Sequence, residues 1–396
     1  MPLLFAMMFA SQLATTIFLP GLPGIANDLQ TSLSAAQMLL PAYLGAFAIA
    51  QLVVGPLSDA FGRRPVIIGG LSLFTLASLA AAWAPDIELL LVARAMQASG
   101  ACATMVVARA IIRDTSQGAA AARAMSALAI AMAVGPSAAP LIGGQLVTWF
   151  DWRATFYLTS LVSAATVFAV FHYLEETLPP NQRRTSGAGA HVVTYLRLFG
   201  NPVFVGYSLT VAFASGAMQA FLTASPIVLI VQMDMSPAIY GVCVMAMPMF
   251  YMVGSFLAGR LTLWVPIDSI VLVGAIASAG GGLLQFTFGL GIGGVDVTPL
   301  HVLGAFAISN LGTGLVLACC YAQALNTVTP PYAGAASALS GFIHMGWAFA
   351  LTFTVANVSH LSSLPLGIAQ LSTTGLSLTT ALLLVFVFKR RAHTGA

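Results

Sequence analysis

Charge is what this sequence has least of: Lys, Arg, Asp and Glu make up 6% of its 396 residues, where a soluble domain carries roughly a quarter. With 59% hydrophobic residues and a mean hydropathy of +0.94, a soluble globular protein is excluded and an integral membrane protein remains. Long polar stretches are missing too, so no soluble domain fits. The net charge of +3 is spread singly or in pairs at the ends of apolar runs, which excludes a nucleic-acid face and makes the lipid bilayer the expected partner. Cysteine is scarce, and Cys102, Cys243, Cys319 and Cys320 all lie inside apolar runs without metal-ligand spacing. No metal, cofactor or disulfide is expected. No cluster of nucleophile, base and metal ligands appears, so a membrane enzyme is not expected either. The first apolar run lacks a preceding basic region and a small-residue cleavage site, and is expected to stay as a helix.

A span needs about 20 apolar residues. Apolar runs bounded by turn signals give spans at 3–22, 38–57, 66–84, 88–110, 123–146 and 154–174, then at 202–224, 238–258, 268–290, 299–321, 333–356 and 367–388. The expected fold is all-α, with twelve transmembrane helices. Residues 1–180 form a first six-helix bundle, 181–200 a linker too polar to span, and 201–396 a second bundle. Of fourteen basic residues, twelve fall on the side of the linker and both termini, Arg153 falls on the other, and Arg94 lies within a span. That bias predicts cytoplasmic termini. The eleven acids all stand at or beyond span ends. A weak repeat, Gly254 to Arg260 standing in the second half where Gly55 to Arg64 stands in the first, implies two bundles related by a pseudo-two-fold axis with a binding site between them.

Between the second and third spans runs Gly55-Pro-Leu-Ser-Asp-Ala-Phe-Gly-Arg-Arg-Pro65. Read physically, Gly55 and Gly62 allow a tight crossing, Asp59 faces the positive end of a neighbouring helix, Arg63 and Arg64 anchor the loop to the cytoplasmic face, and a loop arginine pairs with Asp114. This stretch resembles the signature loop of the major facilitator superfamily of secondary transporters. In the fourth span, Arg94, Gln97 and Gly100 resemble that superfamily's R-x-x-Q-G signature with the glycine one residue late. The resemblance implies an arginine facing a central cavity; the alternative is an arginine that snorkels to the outer surface. The fifth span carries Gly135, Pro136, Pro140, Gly143 and Gly144, residues that kink a helix and let neighbours approach, and resembles the antiporter signature of drug exporters.

Four further stretches, Phe18-Leu-Pro-Gly-Leu-Pro23, Ala46 to Gln51, Arg113-Asp114 and Glu175-Glu-Thr-Leu-Pro179, resemble the Bcr/CflA branch of drug and metabolite exporters. That branch commonly carries an aspartate where this sequence has Thr16. The resemblance implies a monomeric efflux transporter of small amphipathic molecules across the bacterial inner membrane, coupled to protons by antiport. The missing carboxylate favours an alternative, a facilitator or exchanger of one metabolite without proton coupling. A receptor or sensor on the same fold is the remote third reading. Thr16, Gln51, Ser215, Gln219, Asn310 and His344, with Arg94 and Gln97, are the candidate cavity residues; each otherwise only satisfies a neighbouring helix. His344 is the one histidine well inside a span and the one such group that titrates near neutral pH.

Overall fold

The computed structural model describes residues 2–116, 118–183, 188–292, 296–329, 332–358 and 363–388; Arg184 and the basic run from Lys389 to Arg391 lie outside them. The described residues are helical, without a strand. Among the described residues twelve helices are long and apolar enough to cross a membrane: α1 Pro2–Asp28, α2 Leu33–Phe61, α3 Arg63–Ala82, α4 Ile87–Thr115, α5 Arg123–Trp149, α6 Arg153–Tyr173, α8 Pro202–Gln232, α9 Pro237–Leu261, α10 Ile267–Gly289, α11 Pro299–Asn326, α12 Gly334–Ala356 and α13 Leu364–Phe386. Between α6 and α8 the linker forms a further helix, α7 Ala188–Phe199, whose 12 residues reach only about 18 Å and cannot span.

Several helices outrun the apolar runs that announce them. Hydropathy marks the part of a helix that needs hydrocarbon, whereas its end is set by capping. The Asp86 carboxylate accepts the Leu89 N–H at 2.8 Å to start α4, and the Asn201 side chain accepts the N–H groups of Val203 and Phe204 to start α8. Prolines set the internal breaks. In α1 regular helix stops at Thr16, a 3₁₀ turn follows over Leu19–Gly21, and helix resumes at Leu22.

The stretch from Gly55 to Pro65 is not a loop. Gly55, Pro56 and Asp59 sit in the last turns of α2, and the only break is Gly62, with φ 102° and ψ 161°, before α3 begins at Arg63. Gly55 makes no tight crossing: a Cβ there would meet only Val106 Cγ1, at 4.0 Å. Gly254 likewise lies within α9, against α11.

The chain forms two compact units, Met1–Ala188 with Ser236–Met245, and Gly189–Met235 with Ala246–Ala396. In the first, α3 packs on α4, α2 on α4, α3 on α6 and α1 on α5; in the second, α10 packs on α11 and α13, and α8 on α11, α12 and α13. The internal repeat is clearest in the glycines of these crossings. A Cβ on Gly100 of α4 would strike the Gly70 carbonyl and the Phe74 N–H of α3, and a Cβ on Gly312 of α11 would strike the Gly274 carbonyl and the Ser278 N–H of α10. The same backbone-to-backbone contact is thus built twice.

Candidate functional site

Six residues before Gly100 stands Arg94, and six before Gly312 stands Phe306. Phe306 stacks on Phe221 with ring centroids 3.8 Å apart and planes 5° from parallel. Arg94 takes the corresponding place in the first unit, its guanidinium carbon 4.4 Å from the ring centroids of both Phe18 and Tyr43. It is 0% exposed, so it neither snorkels nor opens onto a surface in this conformation. Its Nη1 donates to the Ala14 carbonyl at 3.0 Å, one of the carbonyls left without a helical donor where α1 breaks, and to Gln97 Oε1. Gln97 Nε2 in turn donates to Ser78 Oγ at 2.7 Å. Arg94 Nε and Nη2 have no partner, and no carboxylate pairs with this arginine among the described residues. Two aromatic faces repay part of the desolvation of the cation. Since the second unit fills the matching place with a phenylalanine, packing alone does not demand a charge here.

Thr16 lies one turn from this network. Its hydroxyl donates to the Pro136 carbonyl at 3.4 Å. That carbonyl belongs to the residue four before Pro140, which has no N–H to give it, so the threonine replaces a hydrogen bond that the proline removes. Gly143 admits the other contact of this crossing, since a Cβ there would collide with the Ile17 carbonyl, while a Cβ on Gly135 would press on Gln12. Gly135, Pro136, Pro140, Gly143 and Thr16 therefore form one α1–α5 seam.

At the basic end of the first unit, Arg63 is nearly buried and shared between helices. Its Nη1 donates to Asp59 Oδ1 at 2.5 Å and Ser58 Oγ at 2.7 Å, and its Nε donates to Asp114 Oδ2 of α4 at 2.9 Å. Arg64 turns outward, donating to the Phe171 carbonyl at 2.8 Å. Glu176, just after α6, closes the cluster from below. Its Oε1 accepts the N–H groups of Arg63 at 2.9 Å and Leu178 at 3.0 Å, and its Oε2 accepts the Arg64 N–H at 3.3 Å with Arg183 at 3.8 Å. A carboxylate from the end of the sixth span is thus the N-terminal cap of the third. Gly62 makes room for it: a Cβ there would fall on Glu176 Oε2. Burial on its own would raise the Glu176 pKa, but the Leu178, Arg63 and Arg64 N–H groups and the Arg183 charge hold it below the ordinary carboxylate range.

In the second unit the candidates are scattered rather than convergent. Ser215 donates to the Ala212 carbonyl of its own helix, and Asn310 Nδ2 donates to the Met247 carbonyl at 3.2 Å. His344 Nδ1 meets the Tyr321 hydroxyl at 3.0 Å. Gln219 Oε1 and, in the first unit, Gln51 Oε1 have no partner. Sequence reading missed Glu176 as a cap and Tyr43 as the second face on Arg94. It also passed over Gln285 and Gln370, both 0% exposed with both amide atoms unpartnered. The criterion that found Gln51, an amide inside an apolar run, applies equally to these two.

Twelve apolar helices in two internally repeated units, with a charged network sealed inside the first, define a polytopic helical membrane protein. The family model of the Major Facilitator Superfamily matches residues 4–353, and the chain belongs to that family of transporters. The family resemblance read from the α2–α3 stretch and its companions is borne out. Multidrug resistance protein D of Escherichia coli is 35% identical over 218 residues, 55% of this chain and 54% of that protein. The bicyclomycin resistance protein homolog of Haemophilus influenzae is 28% identical over 358 residues, 88% of this chain and 87% of that protein. Three relatives at 30 to 36% identity align over 54 to 62% of their own length. Among solved structures, a peptide transporter POT in complex with sulfate shares the fold, with a TM-score of 0.77 at 14% identity over 98% of this chain and 94% of that one.

Proposed function

We propose that this chain is an efflux carrier that exports small amphipathic drugs or metabolites across the bacterial inner membrane by alternating access of its two bundles. The carrying observation is the family match over residues 4–353, joined to a relative named for bicyclomycin resistance that aligns over 87% of its length. In this reading the protein is a monomer with both termini and the linker in the cytoplasm, residues 1–180 and 201–396 are the moving bodies, and neither nucleic acid nor a catalytic residue takes part. Arg94 and Gln97 are the polar centre of the substrate path in the first bundle. A buried guanidinium without a counter-charge supports anionic, zwitterionic or hydrogen-bond-accepting substrates over permanent cations. The Arg63 cluster and the α1–α5 seam act in conformational gating.

A second reading, exchange or facilitated export without proton stoichiometry, is favoured by one observation. Among the described residues every carboxylate stands in the first or last turns of a helix or beyond it, and Thr16 is committed to the Pro136 carbonyl. Bicyclomycin uptake into proteoliposomes, with and without a pH gradient, tests both. Gradient-independent counterflow is the outcome expected of the second reading. Proteoliposomes that move none of a panel of drugs would overturn the carrier reading itself.

A further inference from the structure

In α12, Ser340, His344, Trp347 and Leu351 are spaced four, three and four residues apart and share one face. Phe349 and Phe353, on the opposite face, are exposed. His344 and Trp347 are only part-buried, which for an imidazole inside a span is costly unless something polar meets it. Both rings are held from behind. The Tyr321 hydroxyl of α11 meets His344 Nδ1 at 3.0 Å, with the two rings near edge-on at 70°. Trp347 Nε1 donates to Thr373 Oγ1 at 3.0 Å, that hydroxyl donates to the Phe213 carbonyl at 2.8 Å, and the Phe213 ring meets Trp347 edge-on at 4.7 Å. Gly216 keeps the site open beside them, because a Cβ there would press on Trp347 Nε1 at 2.7 Å.

Two polar groups are left over on this face: His344 Nε2, and Ser340 Oγ, which is enclosed and unpartnered on a residue 3% exposed. In the tautomer in which the Tyr321 O–H donates to Nδ1, the imidazole proton sits on Nε2, and the face then offers an oriented N–H donor next to a flat indole. We propose that this face is a substrate subsite in the second unit, taking a planar aromatic group that carries a neutral oxygen acceptor such as a lactone or ketone carbonyl. The ring lies against Trp347 and Phe213, and the carbonyl accepts from His344 Nε2–H. Tyr321 is a positioning residue that selects the tautomer. The inference rests on the carrier reading for its role in transport, but binding tests it separately.

The probes are 7-methoxycoumarin and 2-methoxynaphthalene, bicyclic aromatics of similar size of which only the first carries a carbonyl, bound to the purified full-length protein in detergent by equilibrium dialysis. The wild type should bind the coumarin more tightly. His344→Asn keeps a polar atom near the Nδ1 place and none near Nε2; it should weaken the coumarin about five- to tenfold, the worth of one neutral hydrogen bond, and leave the naphthalene unchanged. His344→Gln reaches the Nε2 place and should stay within about twofold of the wild type, a difference too small to count as a lost hydrogen bond. Tyr321→Phe should weaken the coumarin alone. Unchanged naphthalene binding also reports that each variant is folded. Equal losses for both probes, indistinguishable Asn and Gln variants, or a wild type that binds neither compound would overturn the subsite. If that wild type still moves bicyclomycin in proteoliposomes, only the subsite falls; if the coumarin binds as expected but no compound is moved, only the carrier reading falls.

Discussion

Replacing Gly62 by alanine puts a methyl group where Glu176 Oε2 now sits, on a backbone with φ 102° and ψ 161° that side chains other than hydrogen rarely adopt. Strain of that kind costs about 1 to 3 kcal/mol. Expelling the carboxylate uncaps α3, at about 1 kcal/mol, so Gly62→Ala should destabilise by about 2 to 4 kcal/mol in all. Glu176→Ala loses the cap but removes the obstacle, which leaves only backbone strain for Gly62→Ala to add. The double variant should therefore be less damaged than the two single variants summed, by about the 1 kcal/mol of the shared cap. Reversible unfolding by SDS in mixed micelles, measured for the wild type, both single variants and the double, yields this coupling. Additivity within about 0.4 kcal/mol would refute the idea that Gly62 exists to admit Glu176.

Arg94→Met should leave stability unchanged or raise it by about 1 to 4 kcal/mol in the same unfolding assay while abolishing transport, because the matching Phe306 site needs no charge; a loss of stability instead would mean that the guanidinium holds the bundle together. Glu176→Gln should lower the melting temperature at neutral pH. Because the native carboxyl pKa is depressed, its contribution is whole above the unfolded value of about 4.3 and fades as pH falls through the native one, so wild type and variant should converge in acid, and a gap that widens there refutes the cap. Asp59→Asn keeps an acceptor for Arg63 but loses the charge; turnover in proteoliposomes should drop with near-normal expression, and wild-type turnover would reduce this ion pair to packing.

Periodicity and apolar length carried the twelve spans, because a helix in lipid must be apolar for its whole crossing whatever it packs against. Spacing and turn residues singled out Asp59, Arg63 and Asp114 as a cluster, which the structure gathers where α2 gives way to α3. They did not reach Glu176, the cap that Arg63 receives from beyond α6. Glu176 caps Arg63 across 113 residues, and Thr16 answers Pro136 across 120. Contacts of that kind depend on which helices become neighbours, and spacing along the chain says nothing of that. The Gly-Pro pattern of the fifth span announced a kink and a close approach, but the donor that repairs the proline came from α1. Arg94 was legible as an expensive residue, while its enclosure between Phe18 and Tyr43 required the α1 break and the α2 packing to be seen together.

The doubled glycine crossing carries arginine in one copy and phenylalanine in the other, so the repeat is symmetric in shape and asymmetric in electricity. Arg94 lies about 10 Å along α4 from its start, inside the region across which a membrane voltage drops. Moving one charge through the whole of a 100 mV potential is worth about 2.3 kcal/mol. A rearrangement that changes the share of the field felt at Arg94 by roughly a third is then worth about 0.8 kcal/mol, close to a fourfold shift in a conformational equilibrium. Among the described residues no carboxylate lies beside it to move in step and cancel the work, and Phe306 at the matching place of the second unit carries no charge for the field to act on.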